Sequence, residues 1–194
     1  MSKDKNKGKL IIVSAPSGAG KTSIVKYILK NEPSIKFSVS ATSRSPRKGE
    51  ENGVDYYFMS ADEFRNKIKN KLFVEWEEVY NGTYYGTLRS DIYRIWDNNY
   101  HIIFDVDVKG GINLKNEFGD KAIAIFIQPP GIDELRKRLV KRETEHTDDI
   151  ERRVKKAREE MAKAVNFDKI IINNDLEKAC SEALEVCKHF INNN

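Results

Sequence analysis

The feature that most constrains the fold is a short apolar run that leads through a glycine-containing loop into an amphipathic segment. Residues 9–15, KLIIVSA, are rich in β-branched side chains, which is typical of a strand buried in a sheet. Residues 15–22, APSGAGKT, form the loop, and the following segment has apolar side chains at helical spacing, at Ile24, Val25, Ile28 and Leu29. This order of strand, loop and helix predicts a phosphate-binding loop.

The residues of this phosphate loop suit a nucleoside triphosphate. Backbone N–H groups and the helix N-terminus cradle phosphate oxygens, and the glycines let the backbone approach them closely. Lys21 would reach the β- and γ-phosphates, and the Thr22 hydroxyl would coordinate Mg²⁺. The usual pattern begins with Gly, whereas this chain has Ala15 at that position. The predicted nucleotide-binding residues are Ala15, Pro16, Ser17, Gly18, Ala19, Gly20, Lys21 and Thr22.

Three other interpretations of the loop are less consistent with the sequence. A chance glycine-rich turn would not coincide with a buried strand, a Gly-Lys-Thr sequence and a helix. A dinucleotide-binding fold needs GxGxxG, which is absent. A regulatory GTPase would carry an Asn-Lys-x-Asp motif, and residues 173–175, Asn-Asn-Asp, do not match it.

Further apolar runs predict three more buried strands, at residues 101–104, 122–127 and 170–172. Helical patterns lie between and after them, the clearest at Leu176, Ala179, Cys180, Ala183, Leu184, Cys187 and Ile191. This alternation predicts an α/β fold with a parallel sheet flanked by helices. Asp105 follows the first of these three strands, where P-loop proteins place a metal-binding carboxylate. Asp107 would point the same way if the strand continued.

Two stretches depart from the alternation, within what we interpret as one domain. The core would comprise residues 1–37, 93–129 and 161–194. Residues 38–92 read as a small mixed α+β insertion with antiparallel strands and one helix, capped at Ser60. Residues 130–160 are charged and helical, and we expect them to form a lid in which Arg138 and Arg142 share one helix face.

The insertion carries residue types that suit a phosphorylated purine. Arg44 and Arg47 are three apart, and guanidinium groups bind phosphate through a planar fork of donors. Glu75 lies between large apolar residues, where a carboxylate could accept hydrogen bonds from guanine N1–H and N2–H₂. Tyrosines nearby offer flat faces and hydroxyl groups. Each feature alone also fits a solvated loop or the core of a small domain.

Composition narrows the choice of partners. Lys and Arg number 34 against 30 Asp and Glu, so the net charge of +4 and pI of about 8.9 do not require nucleic acid as a partner. No run approaches the length of a membrane span or the apolar stretch of a signal peptide. The two cysteines show no metal-binding or disulfide spacing, which predicts a reducing cytoplasm.

The chain resembles guanylate kinases from Leu10 to Phe190. The segments that carry the resemblance are SAPSGAGKT, SVSATSRSPRKGEENGVDYYF, FVEWEEVYNGTYYG, IIFDVDVKGG and LRKRLVKRETE. The resemblance implies a P-loop core with a GMP-binding insertion and a lid, and transfer of the ATP γ-phosphoryl group to GMP with Mg²⁺. It also implies GMP, dGMP and ATP as ligands, no nucleic acid or membrane, and a monomer or homodimer.

The resemblance assigns roles to individual residues. It implies that Thr22 and Asp105 hold the metal, and that Lys21 and the lid arginines Arg138, Arg142 and Arg153 are catalytic. The lid run around Arg142 lacks the glycines that often flank this arginine. The implied GMP-binding residues are Ser40, Arg44, Arg47, Tyr56 and Tyr85 for the phosphate and Glu75, Thr87 and Asp107 for the guanine.

Two related classes compete with this interpretation. Guanylate-kinase-like interaction modules keep the fold and bind peptides, but they have lost the phosphate loop that this chain contains. Another P-loop kinase could act on AMP, CMP or a shikimate-like acid, and Glu75 together with the tyrosines argues against it. We therefore expect a GMP kinase.

Overall fold

The apolar run at the start of the sequence lies at the centre of a parallel sheet. The computed structural model describes residues 8–80, 82–141 and 147–193. In chain order its elements are β1 (Leu10–Ser14), α1 (Lys21–Asn31), β2 (Ile35–Phe37), β3 (Ala41–Thr42), β4 (Tyr57–Phe58), α2 (Ala61–Lys69), β5 (Phe73–Tyr80), β6 (Thr83–Leu88), α3 (Arg89–Asp97), β7 (His101–Asp105), α4 (Val108–Phe118), β8 (Ala122–Gln128), α5 (Ile132–Val140), α6 (Thr147–Ala162), β9 (Lys169–Ile172) and α7 (Leu176–Asn192).

The main sheet is parallel throughout, with the strand order β2-β7-β1-β8-β9. Both of its faces are covered, which is why its strands read as continuous apolar runs. Along β1, Ile11 and Val13 face a core shared with α1 and α7, and Leu10 and Ile12 face a second core with α3 and α4. The predicted α/β class and the four predicted strands are confirmed, but the strand at residues 170–172 is not buried as predicted, because β9 is an edge strand on which Ile170 and Ile172 are exposed. The short edge strand β2 was not predicted.

The two cysteines lie inside the core, as their spacing on one helix predicts. Cys180 and Cys187 are both on α7, and both are buried free thiols that pack among the side chains of the first core. Burial raises the pKa of Cys187 to about 12. The thiol therefore stays protonated at neutral pH and behaves as a small apolar side chain.

A second sheet, with the order β4-β3-β6-β5, is built from the insertion. The β3–β6 and β5–β6 pairs are antiparallel as predicted, while β3 and β4 pair in parallel. Helix α2 begins after Ser60, whose side chain accepts a hydrogen bond from the N–H of Glu63, so the predicted N-cap is confirmed. The aromatic ring of Phe64 on α2 stacks on Phe73 and Tyr84 and fills a small core of its own.

The chain crosses between the two sheets at residues 38–40 and returns at residues 88–91, and one carboxylate joins the two crossings. Asp91 is 3% exposed, and its Oδ2 accepts hydrogen bonds from the N–H of Val39 and the hydroxyl of Ser38, both at 3.1 Å. Its Oδ1 accepts from the Tyr57 hydroxyl at 3.0 Å and from Arg94 at 2.7 Å. The junction is therefore tied together by a single side chain.

Helices α5 and α6 form a separate small core rather than extending the sheet. The stripe of Leu135 and Leu139 on α5 packs against Ile150 and Val154 on α6. Met161, which continues the α6 periodicity in the sequence, instead packs against the core under the main sheet. Among the described residues, no helix is both long and apolar enough to span a membrane.

Candidate active site

The phosphate loop connects β1 to α1 and adopts a conformation that needs its glycines. Gly18 and Gly20 have φ angles of 91° and 95°, in the left-handed region where other residues are strained. A Cβ on Gly20 would also lie 2.3 Å from Nδ2 of Asn173. Helix α1 begins at Lys21, so the N–H groups of its first turn point toward the loop.

The phosphate loop is held in place by Asn173, which follows β9, and Asn173 is in turn contacted by α5. Asn173 follows β9, is 3% exposed, and donates from Nδ2 to the carbonyl oxygen of Ala19 at 2.7 Å. Arg138 on α5 donates to the carbonyl oxygen of Asn173 at 3.1 Å and pairs with Glu134. Helix α5 is thereby connected to the loop through Asn173, whose buried amide side chain contacts Ala19.

The loop borders a pocket of about 320 Å³, which we call the phosphate pocket. Lys21 and Thr22 lie on its loop side, and Arg153 and Lys156 on α6 lie on the other. Arg153 donates a hydrogen bond to the hydroxyl of Ser17 in the loop. Cations from two elements and a helix N-terminus therefore face one cavity and outnumber its two carboxyl groups, those of Asp107 and Glu160, which favours an anion.

Lys21 is directed toward the end of β7. Its Nζ lies 2.5 Å from Oδ1 of Asp105 and 2.7 Å from the carbonyl oxygen of Val106. Thr22 lies in the first turn of α1. A hydroxyl and a carboxylate are the hard oxygen donors that Mg²⁺ uses when phosphates and water supply its other ligands. Among the described residues there is no cluster of three acidic, His or Cys side chains that would hold a metal by itself.

A second cavity of about 440 Å³, which we call the acceptor pocket, meets the phosphate pocket at Lys21, Asp107 and Lys156. It lies between the end of the main sheet and the small sheet. Of the predicted acceptor-site residues, Thr87 alone is not part of its lining, because Thr87 is buried behind Glu75. The predicted residues that line it are Ser40, Arg44, Arg47, Tyr56, Glu75, Tyr85 and Asp107, with Asp105 beside them.

Arg44 is held in a defined position within this pocket. Its Nη1 and Nη2 atoms lie 2.6 and 2.7 Å from the two carboxylate oxygens of Glu50, and its Nε donates to the hydroxyl of Tyr85 at 3.1 Å. The guanidinium also lies 4.9 Å from the ring centroid of Tyr56, within cation–π range. The pKa of Arg44 is raised, chiefly by the hydrogen bonds to Glu50.

Glu75 lies on β5 and faces the pocket. Its Oε1 accepts a hydrogen bond of 2.7 Å from the hydroxyl of Thr87, which is directly opposite on β6. Burial raises the pKa of Glu75 to about 7, although the Thr87 hydrogen bond works in the other direction. A Cβ on Gly110 would lie 3.0 Å from Oε2 of Glu75 and 3.1 Å from Oδ1 of Asp107, so a larger residue there would require these carboxylates to shift.

Asp107 does not lie on a strand, so the expectation that it alternates with Asp105 along β7 is wrong. Strand β7 ends at Asp105, and Asp107 caps α4 by accepting from the N–H of Gly110 at 2.7 Å. Both carboxylates still border the acceptor pocket, because the chain turns between them. Helix-capping chemistry, rather than strand alternation, directs the Asp107 side chain.

A neighbouring carboxyl group shares the environment of Asp107. Within the described part of the chain, Oε2 of Glu77 is buried without a donor, while Oε1 contacts Lys109 at 3.2 Å. The adjacent Asp107 carboxylate raises the pKa of Glu77 most, followed by its burial. Burial acts to raise the pKa of Asp107 as well, but the interaction with the Glu77 carboxyl group and the hydrogen bond from the Gly110 N–H outweigh it and keep this pKa low. Glu77 therefore takes up a proton before Asp107 does.

Several residues near the site were not found from the sequence. Lys156 lies three residues after Arg153, so helical spacing could have placed it on the same face. No local pattern indicates three other residues, Asn173, Glu50 and Glu77. Asn173 and Glu77 interact with residues far away in the chain, and Glu50 lies in a loop without periodicity. Arg142, the remaining predicted lid arginine, lies outside the described residues.

Fold and site together define a P-loop kinase of the nucleoside monophosphate type. A profile described as guanylate kinase matches residues 7–190. Guanylate kinases from Bacteroides thetaiotaomicron and Porphyromonas gingivalis are 49% and 48% identical to this chain, over 95% and 94% of its length and 91% and 98% of theirs. A crystal structure of guanylate kinase from Anaplasma phagocytophilum has a TM-score of 0.78 at 27% identity, and the match covers 98% of this chain and 89% of that one.

The chain belongs to the guanylate kinase family. It is a nucleoside monophosphate kinase, and its reaction is the phosphorylation of GMP by ATP.

Proposed function

We propose that the two pockets hold the two nucleotides of this reaction in line, with Mg²⁺ assisting. An oxygen of the GMP 5′-phosphate attacks the γ-phosphorus of ATP, the bond from that phosphorus to the β–γ bridging oxygen breaks, and ADP leaves. The observation that carries the proposal is that Lys21 borders both the phosphate pocket and the acceptor pocket. A cation at the junction is suited to the charge on a phosphoryl group in transit.

In the acceptor pocket, the arginine side binds phosphate and the carboxylate side binds the base. Arg44 and Arg47, with the hydroxyls of Ser40, Tyr56 and Tyr85, bind the 5′-phosphate. At the other side Glu75 and Asp107 accept hydrogen bonds from the guanine N–H groups. Thr87, which the resemblance also assigns to the guanine, acts through the hydrogen bond that its hydroxyl donates to Glu75. Adenine presents an acceptor at N1 in place of a donor, so the carboxylate of Glu75 disfavours it.

In the phosphate pocket, residues 15–22 bind the ATP phosphates through backbone N–H groups. The Thr22 hydroxyl and the Asp105 carboxylate would hold Mg²⁺, whose contribution is to neutralise charge on the phosphates. Arg138 and Arg153 neutralise charge on the transferring phosphoryl group from the lid. The resemblance to guanylate kinases assigns the same role to Arg142. The contacts from Arg153 to Ser17 and from Arg138 to the residue that braces Ala19 support this role.

The test is a coupled assay of ADP release with GMP, dGMP, AMP, CMP and UMP as acceptors, with and without Mg²⁺. We expect turnover with GMP and dGMP, little with AMP and the pyrimidine nucleotides, and a requirement for Mg²⁺. Equal turnover with AMP and GMP would contradict the roles given to the base-binding residues. The monomeric or homodimeric state, and a cytoplasmic location suggested by the free thiols, stay predictions.

A further inference from the structure

Glu50 lies outside the lining of the acceptor pocket, yet its carboxylate contacts the residues that bind phosphate there. One oxygen contacts Nη1 of Arg44 and the other contacts Nη2, which is a bidentate pair. The oxygen that contacts Nη1 also accepts a hydrogen bond of 2.7 Å from the backbone N–H of Arg47. A single carboxylate therefore joins the two arginines of one loop.

The remaining contacts of Arg44 show how strongly its orientation is determined. Nε donates to Tyr85, Nη1 donates to the carbonyl oxygen of Ser45 as well as to Glu50, and the ring of Tyr56 packs on the guanidinium face. A free arginine side chain loses rotamer entropy when it binds an anion. Here Glu50 supplies a pair of charge-assisted hydrogen bonds that fixes the Arg44 side chain, so contacts within the protein bear part of this entropy loss.

The structure of the loop that carries Arg44 and Arg47 explains why these arginines need a carboxylate partner. Residues 47–50 form a turn in which the N–H of Glu50 bonds to the carbonyl oxygen of Arg47, and residues 45–49 are exposed. Such a turn has little packing to hold it. The Glu50 carboxylate provides the anchor, because it folds back onto both Arg44 and the Arg47 backbone.

We propose that Glu50 is a positioning residue of the acceptor site, which presets Arg44 and Arg47 to bind the 5′-phosphate of GMP without itself contacting the nucleotide. This inference rests on the proposed function of the acceptor pocket. Its consequence is selective: Glu50 acts on recognition of the phosphate and leaves recognition of the guanine unchanged. Since Arg44 holds the pKa of Glu50 down to about 2, with the Arg47 N–H adding to the effect, the carboxylate is ionised throughout the working pH range.

The test compares Glu50→Ala and Glu50→Gln with wild type, using the full chain in steady-state assays with GMP and ATP. Guanosine, which has the base but no phosphate, is measured as a competitive inhibitor against GMP. We expect Glu50→Ala to raise the KM for GMP by about tenfold or more, on the scale of a lost charge-assisted pair. The KM for ATP and the inhibition constant of guanosine should stay within about twofold. Glu50→Gln should fall between, because an amide offers one acceptor oxygen where the carboxylate offers two.

Two control variants separate the possible outcomes. Glu51→Gln changes an exposed neighbour and should behave as wild type. Arg44→Ala removes the phosphate ligand itself and should raise the KM for GMP at least as much as Glu50→Ala. Wild-type kinetics for Glu50→Ala beside a defective Arg44→Ala would overturn the positioning role and leave the acceptor site intact. Normal kinetics for Arg44→Ala would instead overturn the proposed acceptor site. A parallel loss of GMP and guanosine affinity in Glu50→Ala would assign Glu50 a purely structural role.

Discussion

Replacing Asp91 tests whether one buried carboxylate holds the junction between the two sheets. The change to Ala removes the acceptor of four hydrogen-bonding groups. Two of them, the N–H of Val39 and the hydroxyl of Ser38, belong to residues that are 8% and 2% exposed, so water does not readily replace the lost partner. The other two, on Tyr57 and Arg94, are nearer the surface and can be hydrated.

The expected magnitude follows from that division. A buried donor left without a partner costs about 1–3 kcal/mol, so two of them lower the free energy of unfolding by about 2–6 kcal/mol. Asp91→Asn should cost only about 1 kcal/mol. Its amide oxygen can stay with Val39 and Ser38, its NH₂ group can donate to the Tyr57 hydroxyl, and the lost ion pair with Arg94 is partly exposed.

Urea unfolding followed by circular dichroism measures these differences. Asp97→Asn is the matched control, because Asp97 is an exposed carboxylate on the same helix, and it should unfold as wild type does. The expected order of destabilisation is Asp91→Ala, then Asp91→Asn, then Asp97→Asn. If Asp91→Ala were within 1 kcal/mol of wild type, the junction would not depend on this side chain and the reasoning would be refuted.

Three predictions concern catalysis. Lys21→Ala should lower kcat by about two to four orders of magnitude. Lys26→Ala, on the exposed side of α1, should leave kcat unchanged. Near-normal turnover of Lys21→Ala in the coupled assay would contradict the catalytic role of Lys21. Glu75→Gln should weaken GMP binding by roughly 1–3 kcal/mol, measured as a higher KM for GMP, and AMP should become a better acceptor relative to GMP. In wild type, GMP affinity measured by calorimetry should fall as pH drops below about 7, because Glu75 then takes up a proton. If Glu75→Gln showed the same pH profile, Glu75 would not be the group whose protonation weakens GMP binding. Arg138→Ala should lower kcat by about two orders of magnitude, with little change in the GMP affinity measured without ATP. Lys137→Ala is the control and should leave kcat unchanged. If Arg138→Ala instead lost GMP affinity and kept its kcat, Arg138 would belong to the acceptor site.

Much of the fold could be predicted because its signals are local. The four predicted strands of the main sheet, the glycine loop and the helix that follows it are each encoded within about ten residues, through apolar runs, side-chain periodicity and the φ angles that only glycine adopts readily. Edge strand β2 was missed because three residues with one fully buried side chain carry no usable periodicity. The parallel pairing of β3 with β4 was missed because each of these strands has only two residues.

For the candidate site, the sequence by itself determined which kinds of side chain are present and what they can bind. A Gly-Lys-Thr loop after a buried strand can hold only a phosphate chain well, and arginines spaced with tyrosines suit a phosphate monoester. These conclusions depend on chemical groups and short spacings, so they need no knowledge of the rest of the chain. They also include the resemblance to guanylate kinases, since it lies in contiguous motifs.

Only the tertiary structure decided how those side chains act on one another. It brings Lys21 within 2.5 Å of Asp105, 84 residues away, and makes it common to both pockets. It also buries Glu75 against Thr87 and moves its pKa to about 7. Burial, desolvation and hydrogen bonding between distant segments arise when packed surfaces meet. No local pattern contains them, which is why Asp91 and Asn173 became visible only in the folded chain. Glu50 was missed for another reason, because the irregular loop that folds it back onto Arg44 and Arg47 has no periodic pattern.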